Sequence, residues 1–179
     1  MELSEGFSGQ TEDLAAFFEA VFSASEGASE GAVIGALAKG LLTTTPAPDL
    51  HVFTAHVEGA LTGAIILTRL DYPDDARRVW LLSPVAVATD VQGTGVGQAL
   101  ISYGLKALQA KGADVALTYG DINFYAKVGF AQITPEIATP PQPLSYPHGW
   151  LGQSLTGAPL APLKGASTCA KALSDPAYW

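Results

Sequence analysis

The sequence is poor in cysteine, in basic residues and in long apolar runs, and each shortage excludes a class of protein. With a single cysteine, Cys169, no intrachain disulfide can form, which fits a reducing compartment such as the cytoplasm. Nine Lys and Arg residues stand against 17 Asp and Glu residues, giving a formal net charge of −8, so no basic surface for nucleic acid is expected. No apolar stretch approaches the roughly 18 residues of a membrane helix, and the acidic start Met1–Glu5 does not resemble a signal peptide.

What the sequence does contain is typical of a folded domain. Hydrophobic residues make up 48% of the chain and charged residues only 15%, which predicts a globular chain with a sizeable core. We therefore expect residues 1–179 to form a single domain. The last part, residues 135–179, is rich in proline and glycine and is predicted to be an extension of that domain, because nothing in it supports a separate core.

The hydrophobic pattern predicts two N-terminal helices and a mixed sheet. The first helix is expected to have Thr11 as its N-cap. The second is expected to run from about Ser29 to Leu42 with Val33, Leu37 and Leu41 turned inward. Antiparallel hairpins then precede a strand, a turn and a helix, so the sheet is predicted to be mixed, with helices on both sides. The predicted strands are Leu3–Phe7, His51–Val57, Leu61–Leu70, Val79–Val87, Ala113–Thr118 and Trp150–Leu155.

The most informative stretch is a glycine-rich turn between a strand and a helix. The apolar run Ser83–Val87 suits a buried strand, and Gly93, Gly95 and Gly97 follow it at alternate positions. From Gly95 the pattern becomes helical, and Gly112 ends the helix. Glycine lets a ligand approach the backbone, and a helix start presents unpaired N–H groups with partial positive charge. The turn is therefore predicted to bind a phosphate or pyrophosphate group.

Two common phosphate-binding motifs do not match this turn. A P-loop requires a lysine after its glycines, and none follows here. The dinucleotide fingerprint Gly-x-Gly-x-x-Gly/Ala fails in both registers, because Gln98 or Leu100 stands at its last position. From the turn alone, a phosphate site and a turn that only packs a helix on a strand both remain open.

The turn and a second segment downstream carry a family resemblance. Gln92, Gly95 and Gly97 match the pattern Gln-x-x-Gly-x-Gly, and Tyr125–Phe130 matches Tyr-x-x-x-Gly-Phe. Both patterns, in this order, resemble the GCN5-related N-acetyltransferases, the GNAT superfamily. Within it, the stretch Gly120–Tyr125 is similar to the bacterial YhbS-like branch.

The chain also departs from the family patterns at three positions. Ile122 stands where the branch has proline, and Phe124 stands where it has tyrosine. Thr118 occupies a position at which the superfamily often has an asparagine that contacts the cofactor. The resemblance extends over residues from Leu61 to Trp150.

The resemblance implies an α/β fold with a mixed, largely antiparallel sheet of about six to seven strands flanked by helices. Its splayed central strands would bind acetyl-coenzyme A, and a primary amine would attack the thioester directly. Tyr125 would protonate the leaving thiolate as general acid, and no metal is implied. The residues implied to hold the cofactor lie in the strand end and in the turn: Val85, Ala86, Val87, Gln92, Gly93, Thr94, Gly95, Val96, Gly97 and Gln98.

The acceptor, the general base and the oligomeric state stay open at this stage. The expected partner is a small-molecule or peptide amine, and monomer and homodimer are both compatible with the sequence. Asp121, Glu19 and Glu26 are candidates for the base, although Asp121 is favoured as the N-cap of the short helix that carries Tyr125. A non-catalytic coenzyme A-binding or regulatory module with the same fold is the alternative, and a nicotinamide-dependent enzyme is a third hypothesis.

Overall fold

The computed structural model describes residues 1–179 and contains seven strands and four α-helices. In chain order these are β1 Glu2–Glu5, α1 Thr11–Glu26, α2 Ala28–Thr44, β2 Leu50–Val57, β3 Ala60–Arg69, β4 Val79–Val87, α3 Val96–Ala110, β5 Val115–Tyr119, α4 Ile122–Tyr125, β6 Ala131–Gln132 and β7 Trp150–Ser154. The strands form one sheet in the order β1-β2-β3-β4-β5-β7-β6. None of the helices combines the length and the apolar character that crossing a membrane requires.

The sheet is mixed, as the sequence predicts. β1 runs antiparallel to β2, and β7 runs antiparallel to both β5 and β6, whereas β4 and β5 are parallel. The ladder between β4 and β5 ends at the pair Leu82 and Thr118, although β4 continues to Val87. Pro84 lies just beyond that pair and has no N–H group to donate to a ladder. The predicted α/β fold with a mixed, largely antiparallel sheet is confirmed.

The chain divides into two compact units. The first comprises Met1–Leu67 and Ser83–Gly104, and the second comprises Thr68–Leu82 and Leu105–Trp179. The division falls within β3, β4 and α3, so each of these elements contributes residues to both units. That residues 1–179 form a single domain stays a prediction.

The structure corrects two predicted details of the N-terminal helices. Thr11 is the first residue of α1 rather than its cap, because Gln10 holds the cap position and makes no side-chain hydrogen bond there. Val33 is 42% exposed, whereas Gly31 and Gly35 are buried on α2. Glycine therefore forms part of the buried face of α2, which a pattern of hydrophobic residues does not reveal.

Close packing of α1 against α2 depends on these two glycines. A Cβ atom at Gly31 would lie 2.6 Å from the carbonyl oxygen of Glu19 and 2.7 Å from the backbone nitrogen of Ser23. At Gly35, a Cβ atom would lie 2.8 Å from the Cβ of Glu19. These separations are shorter than the roughly 3.5–4.0 Å of ordinary carbon contacts, so a side chain at either position would push the helices apart.

We expect Gly35→Ala to lower the free energy of unfolding by about 1 kcal/mol. Overpacking costs about 1–3 kcal/mol, and replacing a helix glycine by alanine returns about 1 kcal/mol. Urea denaturation would compare this variant with the wild type and with Ala36→Gly, an exposed position of α2 that reports helix propensity alone. A Gly35→Ala protein more stable than the wild type would contradict close packing of the two helices.

The C-terminal extension is attached within the second unit through an ion pair. Arg77 donates from Nη1 to the carbonyl oxygen of Ala161 at 2.8 Å and from Nη2 to that of Pro162 at 2.7 Å. Asp75 pairs with Arg77 at 2.7 Å and accepts a hydrogen bond from the backbone N–H of Lys164 at 3.0 Å. These bonds join main-chain groups of the extension to the ion pair, while Leu163, Leu173 and Trp179 bury their apolar side chains.

The ion pair is expected to make stability depend on pH at the acidic end. Hydrogen bonds from the Arg77 side chain, supported by backbone N–H groups of Arg77 and Lys164, hold the pKa of Asp75 well below its ordinary value. Because the folded-state pKa is lowered, the ionised Asp75 stabilises the fold above the unfolded pKa of about 3.9. This stabilisation is lost as the pH falls below that value. Between about pH 5 and pH 2, the unfolding free energy of wild type should therefore fall more steeply than that of Asp75→Asn. Urea denaturation at each pH measures both slopes, and equal slopes would contradict the role of Asp75.

Candidate active site

The glycine turn follows β4 in the first unit, at the position that the sequence predicts. Gly93 and Gly95 have φ angles of 77° and 92°, a region that favours glycine. No atom lies within 4 Å of a Cβ built on either residue. The turn therefore presents its main chain on an open surface that an anion can approach.

The start of α3 supplies unpaired backbone N–H groups directly after the turn. The first hydrogen bond of the helix runs from the Ala99 N–H to the Gly95 carbonyl oxygen at 3.0 Å. The N–H groups of Val96, Gly97 and Gln98 precede it and have no partner within the helix. No acidic residue lies in the first turn of α3, so the positive end of the helix dipole is not neutralised locally. This arrangement suits a phosphate group.

Side chains of the turn hold it to the end of β4. Gln92 donates from Nε2 to the Val87 carbonyl oxygen at 2.9 Å, and Thr94 donates from Oγ1 to the Val91 carbonyl oxygen at 2.6 Å. The Gln92 side chain therefore holds the backbone of the turn in place. The groups that the turn leaves available to a ligand are main-chain groups. The predicted cofactor residues take three places: Val85, Ala86 and Val87 in β4, Gln92, Gly93, Thr94 and Gly95 in the turn, and Val96, Gly97 and Gln98 in α3.

Tyr125 lies at the end of α4 in the second unit, and its ring is held by its neighbours. The ring makes edge-to-face contacts with Phe124 and Phe130, at centroid distances of 5.0 Å and 5.6 Å. A Cβ atom at Gly120 would lie only 2.8 Å from Tyr125 Cε2. Because any side chain at Gly120 would displace this ring, the glycine that follows β5 is needed to make room for it.

The Tyr125 hydroxyl is protonated at neutral pH. Burial raises the pKa of Tyr125 above that of a free phenol, and a hydrogen bond with the Thr118 side chain offsets part of this rise. Thr118 is itself fully buried and donates from Oγ1 to the Leu82 carbonyl oxygen at 2.8 Å. A phenol with a raised pKa keeps its proton until it meets a stronger base, so Tyr125 is suited to act as an acid.

Asp121 caps the short helix that carries Tyr125, as the sequence favours. Its Oδ1 accepts hydrogen bonds from the backbone N–H of Asn123 at 2.9 Å and from Asn123 Nδ2 at 3.0 Å. Both bonds use one carboxylate oxygen, and Oδ2 has no hydrogen-bond partner within the chain. The capping role therefore leaves half of this carboxylate available.

The contacts of two residues with Tyr125 could not be predicted from the sequence. Thr118 is notable in the sequence only as a departure from the family asparagine, whereas in the structure its hydroxyl contacts the Tyr125 phenol. Gly120 stands in the family motif, but only the fold shows that its missing side chain makes room for the ring. The motif glycine was the one available signal, since a glycine at a strand often marks a close approach of another group.

The mixed sheet, the open glycine turn and α4, which carries Tyr125, are together typical of an acyltransferase. Residues 48–132 match a family model described as an acetyltransferase (GNAT) domain. The chain is 32% identical over 139 residues to the uncharacterized N-acetyltransferase YjhQ of Escherichia coli K12, covering 75% of this chain and 76% of that protein. The chain therefore belongs to the GNAT acetyltransferase family and is an acyltransferase enzyme.

Solved structures with the same fold come from the same family. The GNAT family N-acetyltransferase YhbS of E. coli, crystallised with coenzyme A, superposes with a TM-score of 0.78 at 17% identity, covering 97% of this chain and 92% of that one. A GNAT family acetyltransferase of Brucella melitensis, crystallised with acetyl-coenzyme A, gives a TM-score of 0.66 at 19% identity, covering 97% and 96%. The predicted membership of the superfamily is confirmed.

Proposed function

We propose that this protein transfers the acetyl group of acetyl-coenzyme A to a primary amine by direct attack, with Tyr125 as general acid. The observation that carries this proposal is the protonated phenol of Tyr125, clamped between two aromatic rings and hydrogen-bonded to Thr118. Such a group can deliver one proton to a leaving thiolate and hold a fixed position while it does so.

The proposed cofactor site is the glycine turn with the start of α3. The open main chain at Gly93 and Gly95 and the N–H groups of Val96, Gly97 and Gln98 fit the pyrophosphate of coenzyme A. The stretch Thr89–Gln98 contains no lysine or arginine, so affinity there rests on backbone groups and on the helix dipole. The complexes of the E. coli and Brucella relatives with coenzyme A and acetyl-coenzyme A support this ligand.

The proposed reaction needs no covalent enzyme intermediate. The thioester supplies an activated acyl group; the amine nitrogen bonds to its carbonyl carbon, and the carbon–sulfur bond breaks. The electron pair leaves on sulfur, and the Tyr125 hydroxyl gives that sulfur its proton. The phenolate then recovers a proton from solvent, while the proton lost by the amine leaves through water or a nearby base.

Deprotonation of the acceptor should shape the pH profile. A lysine-like amine has a pKa of about 10.4, so only about one molecule in a thousand is neutral at pH 7. The rate should therefore rise with pH through the neutral range. The raised pKa of Tyr125 keeps its phenol protonated over that same range, so acid and nucleophile can be present together.

Release of free thiol from acetyl-coenzyme A in the presence of amines tests the proposal. We expect amine-dependent thiol release together with calorimetric binding of coenzyme A. Binding of coenzyme A without transfer to any amine would favour the alternative, a non-catalytic coenzyme A-binding or regulatory module of the same fold. Failure to bind coenzyme A at all would overturn the cofactor assignment.

A further inference from the structure

A cavity of about 470 Å³ opens beside α4 in the second unit. Its walls come from the end of β5, the start of α4, the end of β6 and the segment before β7. The lining residues are Gly120, Asp121, Ile122, Asn123, Gln132, Tyr146 and His148. A cavity of this size falls in the range of roughly 300–1,000 Å³ that is usual for small-molecule sites.

Gly120 connects this cavity to Tyr125. The residue lines the cavity, and a Cβ atom built on it would lie 2.8 Å from Tyr125 Cε2. The cavity and the ring of the proposed general acid therefore share Gly120 as a neighbour, so a molecule bound there lies one residue away from Tyr125.

The charge of the cavity selects for a cation. Asp121 is the only acidic residue in the lining, and neither lysine nor arginine is present there. Its Oδ1 is occupied by Asn123, whereas Oδ2 has no partner within the chain. An ammonium group can donate to this free oxygen in a charge-assisted hydrogen bond.

The cavity lining also includes the exposed aromatic ring of Tyr146. The Tyr146 side chain is 60% exposed, and its ring makes an edge-to-face contact with His148 at a centroid distance of 5.8 Å. The Tyr119 hydroxyl accepts a hydrogen bond from the Tyr146 backbone N–H, and Gln132 Nε2 lies 3.2 Å from His148 Nδ1. An exposed tyrosine face attracts cations and covers alkyl chains.

We propose that this cavity binds the acetyl acceptor and that the acceptor is a small primary amine in its cationic form. Asp121 Oδ2 pairs with the ammonium group, which gives one proton to water or to a nearby base before its nitrogen attacks the thioester. The Tyr146 ring packs against the carbon chain next to it. The amides of Asn123 and Gln132 bind polar substituents of the same molecule. This inference rests on the proposed function, because it names the substrate class of that reaction.

The decisive variant is Asp121→Asn, because asparagine caps a helix as well as aspartate does while carrying no charge. We expect KM for amines such as cadaverine, tyramine and ethanolamine to rise about tenfold, equivalent to about 1.4 kcal/mol. The affinity for coenzyme A should stay within about threefold of wild type, because the glycine turn is unchanged. Glu136→Gln is the matched control, since it removes an exposed acidic charge that does not line the cavity.

A second pair of variants tests the aromatic wall. Tyr146→Ala should raise KM for the same amines, and Tyr146→Phe, which keeps the ring, should restore it. Tyr146 is exposed, so neither change should disturb folding, and circular dichroism would verify this.

Direct binding separates this proposal from the proposed function. Saturation-transfer NMR would measure binding of the same three amines to wild type and to Asp121→Asn in the absence of acetyl-coenzyme A. Binding that is lost in Asp121→Asn supports the cavity assignment even if no transfer is seen, in which case only the proposed function fails. Unchanged amine KM and binding in Asp121→Asn, absence of binding to wild type, or a loss of coenzyme A affinity instead of amine affinity would each overturn the cavity assignment. Acetylation of a lysine peptide but of none of the small amines would also overturn it.

Discussion

The Tyr125→Phe variant is expected to bind coenzyme A as tightly as the wild type and to lose turnover by about 10²–10⁴-fold. Phenylalanine keeps the ring that packs against Phe124 and Phe130, so the fold and the position of α4 should persist. Only the hydroxyl, its proton and its hydrogen bond with Thr118 are removed.

The loss should appear in kcat rather than in KM, because the phenol acts mainly in the transition state. A thiol with a pKa near 8.5 leaves partly unaided, so the lower end of the range is expected. The deficit should shrink as pH rises above about 8.5, where the thiolate no longer needs a proton.

Thiol-release kinetics from about pH 6 to pH 9.5 would measure this effect with an active amine. Tyr103→Phe is a matched control, because Tyr103 lies on α3 with an exposed side chain and packs edge-to-face on Phe53. If the turnover of Tyr125→Phe stays within threefold of wild type at every pH, Tyr125 has a packing role only.

The Gly95→Asp variant is expected to weaken coenzyme A binding by at least about tenfold, or about 1.4 kcal/mol. The substitution places a carboxylate where nothing now lies within 4 Å of a Cβ atom and beside the first N–H groups of α3. The new charge would repel the pyrophosphate and also satisfy those N–H groups in its place.

Gly95→Asn separates this charge effect from backbone strain. Gly95 has a φ of 92°, and asparagine and aspartate tolerate positive φ to a similar degree. Calorimetry with coenzyme A should therefore show a smaller loss for Gly95→Asn than for Gly95→Asp. Equal coenzyme A affinities for the wild type and a folded Gly95→Asp protein would contradict the assignment of the pyrophosphate to this turn.

The glycine turn and the N-cap of α4 could be predicted from the sequence because local chemistry determines them. Gly93 and Gly95 adopt backbone conformations that few other residues tolerate. Asp121 caps α4 through a hydrogen bond to a residue only two positions away. Features that depend on neighbours in sequence leave a pattern that can be recognised without a structure.

The glycines on the buried face of α2 and the cavity could not be predicted because distant segments create them, whereas Leu37 and Leu41 are buried as predicted. Val33 fits a hydrophobic stripe, but the close approach of α1 places Gly35 in the interface instead. Tyr146 lies next to the end of β5 because Tyr119 pairs with Trp150 across the β5–β7 ladder. No local pattern near Asp121 indicates that partner.

The attachment of the C-terminal extension has a consequence for protein engineering. Arg77 and Asp75 contact only main-chain atoms of Ala161, Pro162 and Lys164. Side chains at these three positions are therefore free to vary, and only proline at position 164 is excluded, since it would remove the donated N–H. These three positions thus offer a place for randomised residues, provided that the buried Leu163 between them is kept, and natural relatives can diverge there without losing the attachment.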